Sequence, residues 1–573
     1  MENTSIALQK ERVFLPANIH LDDWNEVLPF VESLQNRKLV QLSDLKTWLS
    51  DRSELDAAME EELAWRYIRM NIDTRDELLA EKFNSFIEDI SPKFALVSND
   101  LNKKFLASPL IKELDPSTYS VYLKGLEMEA RLFREENIPL KARLTTESQK
   151  YGTIQASMEI EHDGKKLTMQ KASFMLKNPD RKEREVVFNK LVSKRLEHAA
   201  ELDRLFDELK EMRNQLALNA GYSNFRDYMF DELGRFDYSV KDCEDFHSSV
   251  EKFVVPVYSQ ILENKKSKLG LPELRPFDMD AEPVGGKPLT PFESGKEMLE
   301  GCIACLTDID SYFGQCIATM EEMGHLSLES QPGKAPGGFN YPLYETGVPF
   351  IFMNSVGAQR DLVTFVHEAG HAVHSFLTRD LELTYFKGMP SEVAELASMS
   401  MELITMEHWS KFYKNEKDLK KAKIEQLEKI VTGLVWIATV DKFQHWLYVN
   451  PNHTEAERSS FWLSINSKVD ALVNWTGFEA YQARKWQNQL HIYEVPFYYI
   501  EYGFAQLGAL AVWQNYRNNE RLGLKNYKEA LSLGNTKSIP EVYKAAGVKF
   551  DFSPENISRL METVSNELIE LRK

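Results

Sequence analysis

The chain has 573 residues, of which 43% are hydrophobic and 11% aromatic, and this composition excludes a wholly disordered chain because it can form a large core. Lys and Arg number 69 against 88 Asp and Glu, which gives a formal net charge of −19. Because an acidic surface repels phosphate backbones and anionic lipids, we expect the protein to bind neither nucleic acid nor membranes.

The N-terminal part of the chain is predicted to be helical. Apolar residues recur at helical spacing over 20–110, as in Trp24, Val27 and Val31. The first residues, MENTSIALQKERVFLP, contain no basic segment followed by an apolar one, so we expect no signal peptide. The chain also has only 4 cysteines, too few for a disulfide scaffold, and both observations favour a cytoplasmic protein.

A β-hairpin is predicted within residues 152–171. Apolar and polar residues alternate on both sides of Asp163-Gly164, and Gly accepts the positive φ that a tight hairpin turn requires. Further along, Cys302-x-x-Cys305 lies in an apolar, helix-like stretch. These two cysteines are therefore predicted to be buried thiols rather than a redox or zinc motif.

The main chemical motif follows a loop rich in Pro and Gly at 331–349 and a short apolar strand candidate, PFIFMN. In DLVTFVHEAGHAVHSFLT, the residues His367, Glu368 and His371 form H-E-x-x-H. Residues four apart share a helix face, so two imidazoles can converge on one metal ion. Glu368 can take a proton from a water molecule there and pass it to a leaving amine. Asp361 is expected to cap this helix, and its apolar surroundings predict burial, which favours a zinc site over two ordinary histidines.

A catalytic zinc ion usually has three protein ligands. Three carboxylates on a second predicted helix are candidates for the third ligand, namely Glu392, Glu395 and Glu402, and spacing alone does not separate them. A carboxylate outside the ligand set often fixes the tautomer of a ligating His, a role that suits Glu402 if Glu395 is the ligand. His374, one turn after the motif, is predicted to orient or pack against the site rather than to bind metal.

A second group of polar side chains lies near residue 500. The segment from His491 to Tyr502 contains one His and four Tyr, whose N–H and O–H groups are donors of the kind that stabilise an oxyanion during peptide hydrolysis. The same pattern is equally typical of an aromatic-rich core helix, and the spacing does not choose between them. The apolar run Val495–Trp513 is interrupted by polar residues, so it is predicted to be a buried helix rather than a membrane span.

The stretches HEAGHAVHSFLTRDLEL and PSEVAELASMSMEL resemble the oligoendopeptidase F group of thimet-oligopeptidase-like zinc metallopeptidases. The hairpin region, APGGFNYP through PFIFMN, and the tail YKEALSLGNTKSIPEVYKAAGVKF agree with that group. The resemblance implies a mainly α fold, a large helical bowl with a deep substrate channel and a small β-hairpin or short sheet near the active site. The resemblance covers roughly residues 115–573 and implies a lobe with the hairpin at 115–200 and a catalytic domain at 201–573. Residues 1–114 are predicted from their apolar spacing to form an N-terminal helical region.

The resemblance also assigns site residues. It implies one zinc ion per chain, bound by His367, His371 and Glu395, with Glu368 as the general base. Glu402 matches an acidic position next to the ligands. An edge strand that pairs with the substrate peptide is implied at Phe350, Ile351, Phe352, Met353 and Asn354. The nearest matches to a His and Tyr residues that act on the oxyanion are His491, Tyr498 and Tyr502.

The function implied by the resemblance is a zinc-dependent endopeptidase that hydrolyses short peptides in the cytoplasm. A dipeptidyl carboxypeptidase similar to the angiotensin-converting enzyme group is the alternative, because it has the same ligand spacing. It requires a cationic group that holds the substrate C-terminus, and the sequence identifies none. A catalytically inactive peptide-binding protein would have lost His367, Glu368, His371 or Glu395, and all four are present. The cleavage preference and the oligomeric state are not predicted.

Overall fold

The structure of the protein is a computed structural model that describes residues 11–284, 286–331, 333–335 and 337–573. The first ten residues of the predicted N-terminal region, and two prolines of the predicted loop at 331–349, lie outside these ranges. α-Helices dominate the described residues, which confirms the predicted mainly α class.

The helices of the first half of the described chain follow one another with short connections. In order they are α1 (Trp24–Asn36), α2 (Leu42–Ile72), α3 (Glu77–Ser85), α4 (Ser91–Leu106), α5 (Pro116–Leu132), α6 (Asn137–Ser148), α7 (Lys150–Ser157), α8 (Met169–Phe174), α9 (Arg181–Glu197), α10 (Ala199–Asn219), α11 (Phe225–Glu232), α12 (Val240–Ser249) and α13 (Val255–Lys268).

The helices of the second half include the two that carry the chemical motif. They are α14 (Gly295–Ile309), α15 (Ser311–Glu322), α16 (Gln359–Thr378), α17 (Thr384–Lys387), α18 (Ser391–Met406), α19 (Glu416–Val449), α20 (Glu455–Val469), α21 (Glu479–Gln482), α22 (Leu490–Glu494), α23 (Tyr499–Asn518), α24 (Glu520–Leu531), α25 (Ile539–Ala545) and α26 (Pro554–Leu571).

Two small β-sheets occur in the described residues. The first pairs β1 (Glu159–His162) with β2 (Lys165–Thr168) in antiparallel orientation. The second contains β3 (Leu326–Glu329), β4 (Phe339–Tyr341) and β5 (Phe350–Ser355) in the order β3-β5-β4. In this sheet β5 runs parallel to β3 and antiparallel to β4.

The hairpin turn lies where it was predicted, but its first strand starts later than the alternation of residues indicated. Asp163 and Gly164 both have positive φ, 50° and 70°, as a two-residue hairpin turn requires. The preceding residues form α7 instead of strand. In this helix Tyr151 stacks on Tyr493 with ring centroids 4.4 Å apart. Tertiary packing of this kind overrides a short alternating pattern.

The chain divides into two compact units, which are described separately. Unit 1 comprises the residues up to Glu135, Thr290–Ala422 and Ala505–Asp551. Unit 2 comprises Glu136–Leu289, Lys423–Phe504 and Phe552–Lys573. The domain boundaries predicted after residues 114 and 200 stay predictions.

The core of unit 1 supports the second β-sheet. Among the N-terminal helices, Trp48 stacks on Phe105 with ring centroids 6.1 Å apart. Ile68 of α2 belongs to a buried cluster with Phe350 and Phe352 of β5. Both β4 and β5 also contact α16, so the sheet lies directly beside the helix that carries the motif.

The core of unit 2 is rich in aromatic residues. Phe206 packs against Trp486 with ring centroids 5.3 Å apart, and Trp486 stacks on Tyr493 at 5.9 Å. The helices α12 and α19 both contribute buried side chains to this unit.

Two further sequence predictions concern burial. The apolar run at Val495–Trp513 forms most of α23, and residues such as Ile500 and Leu510 are buried. No helix in the described part of the chain is long and apolar enough to cross a lipid bilayer. Cys302 and Cys305 are buried thiols, as predicted.

Candidate metal centre

The H-E-x-x-H motif lies on α16, a buried helix with a well-fixed start. Asp361 lies in its first turn, and its carboxylate accepts hydrogen bonds from the backbone N–H of Val356 at 2.7 Å and of Ala358 at 3.0 Å. These bonds fix the backbone where β5 leads into the helix. Leu362 and Phe365 are fully buried. The predicted burial of this helix is confirmed, whereas Asp361 is the third residue of the helix and not its N-cap, which is Ala358.

Gly370 allows α16 to approach α18 closely. A Cβ atom added at Gly370 would lie 2.6 Å from Cα of Ser398 and 3.0 Å from the carbonyl oxygen of Ala397. Both neighbours are backbone atoms, which cannot move aside as the end of a flexible side chain can. The glycine inside the motif thus permits the helix contact that brings Glu395 to the histidines.

Three side chains converge between these helices, namely His367, His371 and Glu395. One donor atom of each lies within 4.8 Å of the others. Oε2 of Glu395 is 3.3 Å from Nε2 of His367 and 3.8 Å from Nε2 of His371. Two donors at about 2.0–2.2 Å from a tetrahedral ion lie about 3.3–3.6 Å apart. The first separation falls in this range and the second is about 0.2 Å longer than its upper end, so a small side-chain shift lets this donor set hold one zinc-sized ion.

The sequence offered three carboxylates as the possible third metal ligand. Of these, Glu395 is the one whose carboxylate lies close to both histidines. Its Oε2 also accepts a hydrogen bond of 3.1 Å from Oγ of Ser398. Glu392 is buried on the same helix but is not part of the converging group. Its backbone carbonyl accepts a hydrogen bond from the hydroxyl of Tyr543 at 3.0 Å. Glu395 and Glu392 therefore differ in their position on α18, since Glu395 faces the histidines and Glu392 does not belong to the converging group.

Glu402 orients His367 from the side opposite the converging donors. Nδ1 of His367 donates to Oε1 of Glu402 at 2.7 Å, which fixes the tautomer so that Nε2 carries the lone pair. Burial lowers the pKa of His367, but hydrogen bonds to Glu395 and Glu402 outweigh burial and raise this pKa well above its usual value. The two carboxylates therefore favour positive charge at this point.

Glu368 lies next to the first His and is only 7% exposed. Burial raises the pKa of its carboxyl group to about 7; His367 opposes this rise, and the charges of Glu395 and Glu402 add to it. A carboxyl group whose pKa lies near neutrality can both accept and release a proton. This property suits a general base that later acts as an acid.

The remaining histidines of the motif differ in their surroundings. Burial lowers the pKa of His371 to about 4, so at neutral pH its imidazole is uncharged, the form that binds metals. Burial, together with the nearby His371, lowers the pKa of His374 to about 3. His374 is not one of the three converging groups, and its 3% exposure supports the predicted packing role.

The prediction that PFIFMN forms an edge strand is wrong. β3 pairs on one side of β5 and β4 on the other, so β5 is the central strand of its sheet. Its run of buried apolar side chains is typical of a strand covered on both faces. The residues concerned are Phe350, Ile351, Phe352, Met353 and Asn354. The edge strand beside α16 is β4, in which Nδ2 of Asn340 donates to the backbone carbonyl of Glu368 at 3.3 Å.

The three predicted oxyanion donors belong to unit 2, whereas the three converging side chains, which are candidate metal ligands, belong to unit 1. Within unit 2 they form one cluster. The ring centroids of His491 and Tyr498 are 6.0 Å apart, those of His491 and Tyr502 are 5.8 Å apart, and those of the two tyrosines are 5.3 Å apart. Their contribution to the reaction stays a prediction.

The segment between α22 and α23 is fixed by buried contacts. Phe497 has a φ of 69°, which is unusual for a bulky residue. Its N–H donates to Oε1 of Gln444 at 2.8 Å, and Arg235 donates to its carbonyl oxygen. Arg235 also donates to Oε1 of Glu501 at 2.8 Å. Tyr498 therefore lies before the start of α23 and does not share a continuous helix with Tyr502.

Sequence reasoning missed three residues that arrange the metal centre. Gly370 could have been identified from the sequence, because a Gly inside a helix lowers helix stability by roughly 1 kcal/mol relative to Ala and often has a packing reason. Ser398 and Asn340 could not have been identified from the sequence. Ser398 contacts Glu395, and Asn340 contacts the backbone of Glu368. The importance of both residues is visible only in the folded structure.

Comparisons with known proteins find similarity to peptidases. The model of "Peptidase family M3" matches residues 174–562, and that of the "Peptidase M3 N-terminal domain" matches residues 14–133. An oligoendopeptidase F homolog of Lactococcus lactis subsp. lactis is 25% identical over 56% of this chain and 52% of the relative. Oligopeptidase PepF of Bacillus subtilis is 24% identical over 56% of this chain and 47% of the relative.

A solved structure of PZ peptidase A with an inhibitor superposes with a TM-score of 0.91 at 24% identity. The superposition covers 96% of this chain and 98% of that chain, and it supports the fold. The chain spans about half of the length of the curated relatives that it matches.

Proposed function

This chain belongs to peptidase family M3, and we propose that it is a zinc-dependent endopeptidase that hydrolyses short oligopeptides. The observation that carries the proposal is the convergence of His367, His371 and Glu395 within 4.8 Å, with Glu368 beside the first ligand. Two imidazoles and one carboxylate are the ligand set of a catalytic zinc site, which keeps one position for water.

In this proposal the three converging residues hold the zinc ion, and Glu402 orients His367. When bound, zinc polarises the scissile carbonyl and makes a water molecule more acidic. Glu368 then accepts a proton from that water on its carboxylate and transfers the proton to the nitrogen of the leaving amine. The high pKa of the buried Glu368 carboxyl, about 7, supports both transfers.

The substrate backbone would pair with β4 rather than with β5. β4 is the edge strand of its sheet, and an extended peptide can add to such an edge through main-chain hydrogen bonds. The contact between Asn340 and the backbone of Glu368 holds this strand at the general base. The oxyanion roles of His491, Tyr498 and Tyr502 rest on the resemblance alone.

The name of the Lactococcus lactis relative, an oligoendopeptidase F homolog, favours an endopeptidase over a dipeptidyl carboxypeptidase. The experiment that tests this choice is digestion of peptides with an acetylated N-terminus and an amidated C-terminus, analysed by mass spectrometry. An endopeptidase cleaves them internally, because it does not require a free terminal carboxylate. Cleavage only of peptides with a free C-terminus, always two residues from the end, would support the carboxypeptidase.

The same digestion tests the metal requirement. Removal of metal with a chelator should abolish cleavage, and added zinc should restore it. The Glu368→Gln protein, which keeps the three ligands, is the matched control for contaminating peptidases. Equal cleavage by the two proteins would contradict the proposal.

A further inference from the structure

Unit 2 contains a second group of metal-binding side chains, which two helices bring together. Cys243 and His247 lie four residues apart on α12, and Asp441 and His445 lie four residues apart on α19. Residues at this spacing share one face of a helix. The exposed fractions are 0% for Cys243 and Asp441, 5% for His247 and 7% for His445. The group is therefore inside the protein.

Three donor atoms of this group converge on one point. Sγ of Cys243, a carboxylate oxygen of Asp441 and a ring nitrogen of His445 lie within 4.8 Å of one another. Nε2 of His445 is 3.2 Å from Oδ2 of Asp441. This distance matches the separation of His367 and Glu395 in unit 1, 3.3 Å.

The hydrogen bonding of the His445 ring and of one oxygen of Asp441 is incomplete among the described residues. Neither ring nitrogen of His445 has a partner with hydrogen-bond geometry among the described residues, in spite of the short distance to Asp441. Oδ1 of Asp441 likewise has no hydrogen-bond partner in the described part of the chain. Buried polar atoms normally have partners, and a metal ion would satisfy the carboxylate and the imidazole at once.

His247 completes the arrangement by holding the carboxylate. Its Nε2 donates to Oδ2 of Asp441 at 2.7 Å. The contact is of the same kind as the hydrogen bond between His367 and Glu402, in which a neighbour outside the ligand set orients a ligand. The rings of His247 and His445 are 5.5 Å apart and nearly perpendicular, at 88°.

We propose that Cys243, Asp441 and His445 bind a structural zinc ion, in addition to the ion at His367, His371 and Glu395. Thiolate sulfur, imidazole nitrogen and carboxylate oxygen are all zinc ligands, and the thiolate disfavours magnesium and calcium. On binding, the Cys243 thiol releases its proton to solvent and its sulfur donates to the ion. His247 orients Asp441 from outside the ligand set, and a water molecule takes the fourth position of a tetrahedral site.

The burial of this group points to a structural rather than a catalytic role. A substrate cannot reach Cys243 or Asp441, because both are 0% exposed. An ion at this place links α12 to α19, two segments that are almost two hundred residues apart in the sequence. Metal binding of this kind stabilises the folded state, since the site does not exist in the unfolded chain.

The first test counts metal ions in the full-length protein. After incubation with excess zinc and removal of unbound metal, elemental analysis should give two zinc ions per chain. The variant His367→Ala/His371→Ala should retain one. X-ray absorption on that variant should detect one sulfur neighbour at about 2.3 Å. Because this variant keeps Cys243, the measurement does not depend on whether a Cys243 variant folds.

The second test uses cobalt as a probe of sulfur ligation. Cobalt-loaded protein should show a thiolate-to-metal charge-transfer band, which the ligands of unit 1 cannot produce because they contain no sulfur. Cys243→Ser should remove the band, and Cys316→Ser, a buried cysteine of unit 1, should retain it. A wild-type protein with one zinc ion and no sulfur neighbour would overturn the proposal, and it would leave the proposed peptidase activity unaffected.

Discussion

Nδ1 of His367 donates a hydrogen bond of 2.7 Å to Oε1 of Glu402, which lies 35 residues further along the chain. This bond directs Nε2 of the same ring towards Glu395, 3.3 Å away. One imidazole thus joins the two helices of the metal centre through both of its nitrogens. The metal affinity should therefore depend on a residue that does not bind the ion.

Glu402→Ala should weaken zinc binding by about 10–100-fold, the usual effect of removing such an orienting neighbour. Without the carboxylate, the His367 ring can rotate and adopt the other tautomer. Competition with a chromogenic chelator measures the affinity. Glu402→Gln should lose less, because the amide oxygen still accepts from Nδ1. Unchanged affinity in Glu402→Ala would mean that packing alone orients the ring.

Glu395→Ala should lose tightly bound metal from this centre, whereas Glu392→Ala should retain it. Both residues lie on α18 and are 3% exposed. A difference in metal content between the two variants therefore reports metal binding and not the loss of a buried carboxylate. Only Glu395 places a carboxylate oxygen within reach of both histidines. Elemental analysis of each purified variant gives the answer. Similar metal loss in both variants would contradict the assignment of Glu395.

Glu368→Gln should retain zinc and lose turnover by several orders of magnitude. The amide keeps the shape of the side chain but cannot accept the proton of the water molecule. Single-turnover hydrolysis of a blocked peptide, combined with metal analysis of the same sample, separates loss of chemistry from loss of metal. A rate near that of the wild type would exclude Glu368 as the general base.

Gly370→Ala should destabilise the protein by about 1–3 kcal/mol, the usual cost of overpacking, and should weaken metal binding. The added Cβ would meet the backbone of Ser398 at 2.6 Å, so α18 has to shift and carry Glu395 with it. Gly433→Ala in α19 is the matched control, because nothing lies within 4 Å of the added Cβ there. Thermal unfolding with and without zinc measures both effects.

That control should be neutral or stabilising, since Ala reduces the entropy of the unfolded chain. Equal destabilisation in the two variants would show that the close contact between α16 and α18 is not what makes Gly370 necessary.

Tyr498→Phe and Tyr502→Phe should differ in their effect on kcat. A hydroxyl that donates to the oxyanion makes its strong bond only as charge develops, so its loss lowers kcat by about 10²–10³-fold and changes KM little. We expect one of the two variants to be impaired to this extent and the other mildly. Tyr499→Phe is the matched control, because its ring lies 4.7 Å from the same histidine, His491.

Normal rates in both variants would assign these tyrosines to the core of unit 2. The oxyanion donor would then have to be sought at His491, whose variant His491→Ala should show the loss of kcat instead.

Much of the metal centre could be predicted from the sequence because its spacing is local. His367 and His371 are four residues apart, and any α-helix places such residues on one face. The same reasoning predicted a buried helix, and the apolar residues around the motif confirm it. The Asp163-Gly164 turn was predictable for an equally local reason, the positive φ of a tight hairpin.

Long-range packing decided what local spacing left open. Glu392, Glu395 and Glu402 were equivalent candidates in the residues alone, and the approach of α18 to α16 at Gly370 separates them. The same limit explains the wrong edge strand: an apolar run predicts that β5 is a strand, but only pairing with β3 and β4 decides that it is central.

The sequence by itself determined the helical class, the H-E-x-x-H motif and the turn, because each depends on residues a few positions apart. The tertiary structure alone decided which carboxylate joins the histidines, which strand lies at the sheet edge, and that Cys243 meets Asp441 and His445. These are contacts between distant segments. The distances in these contacts depend on how side chains of different helices pack together. The spacing of residues along the sequence does not determine those distances.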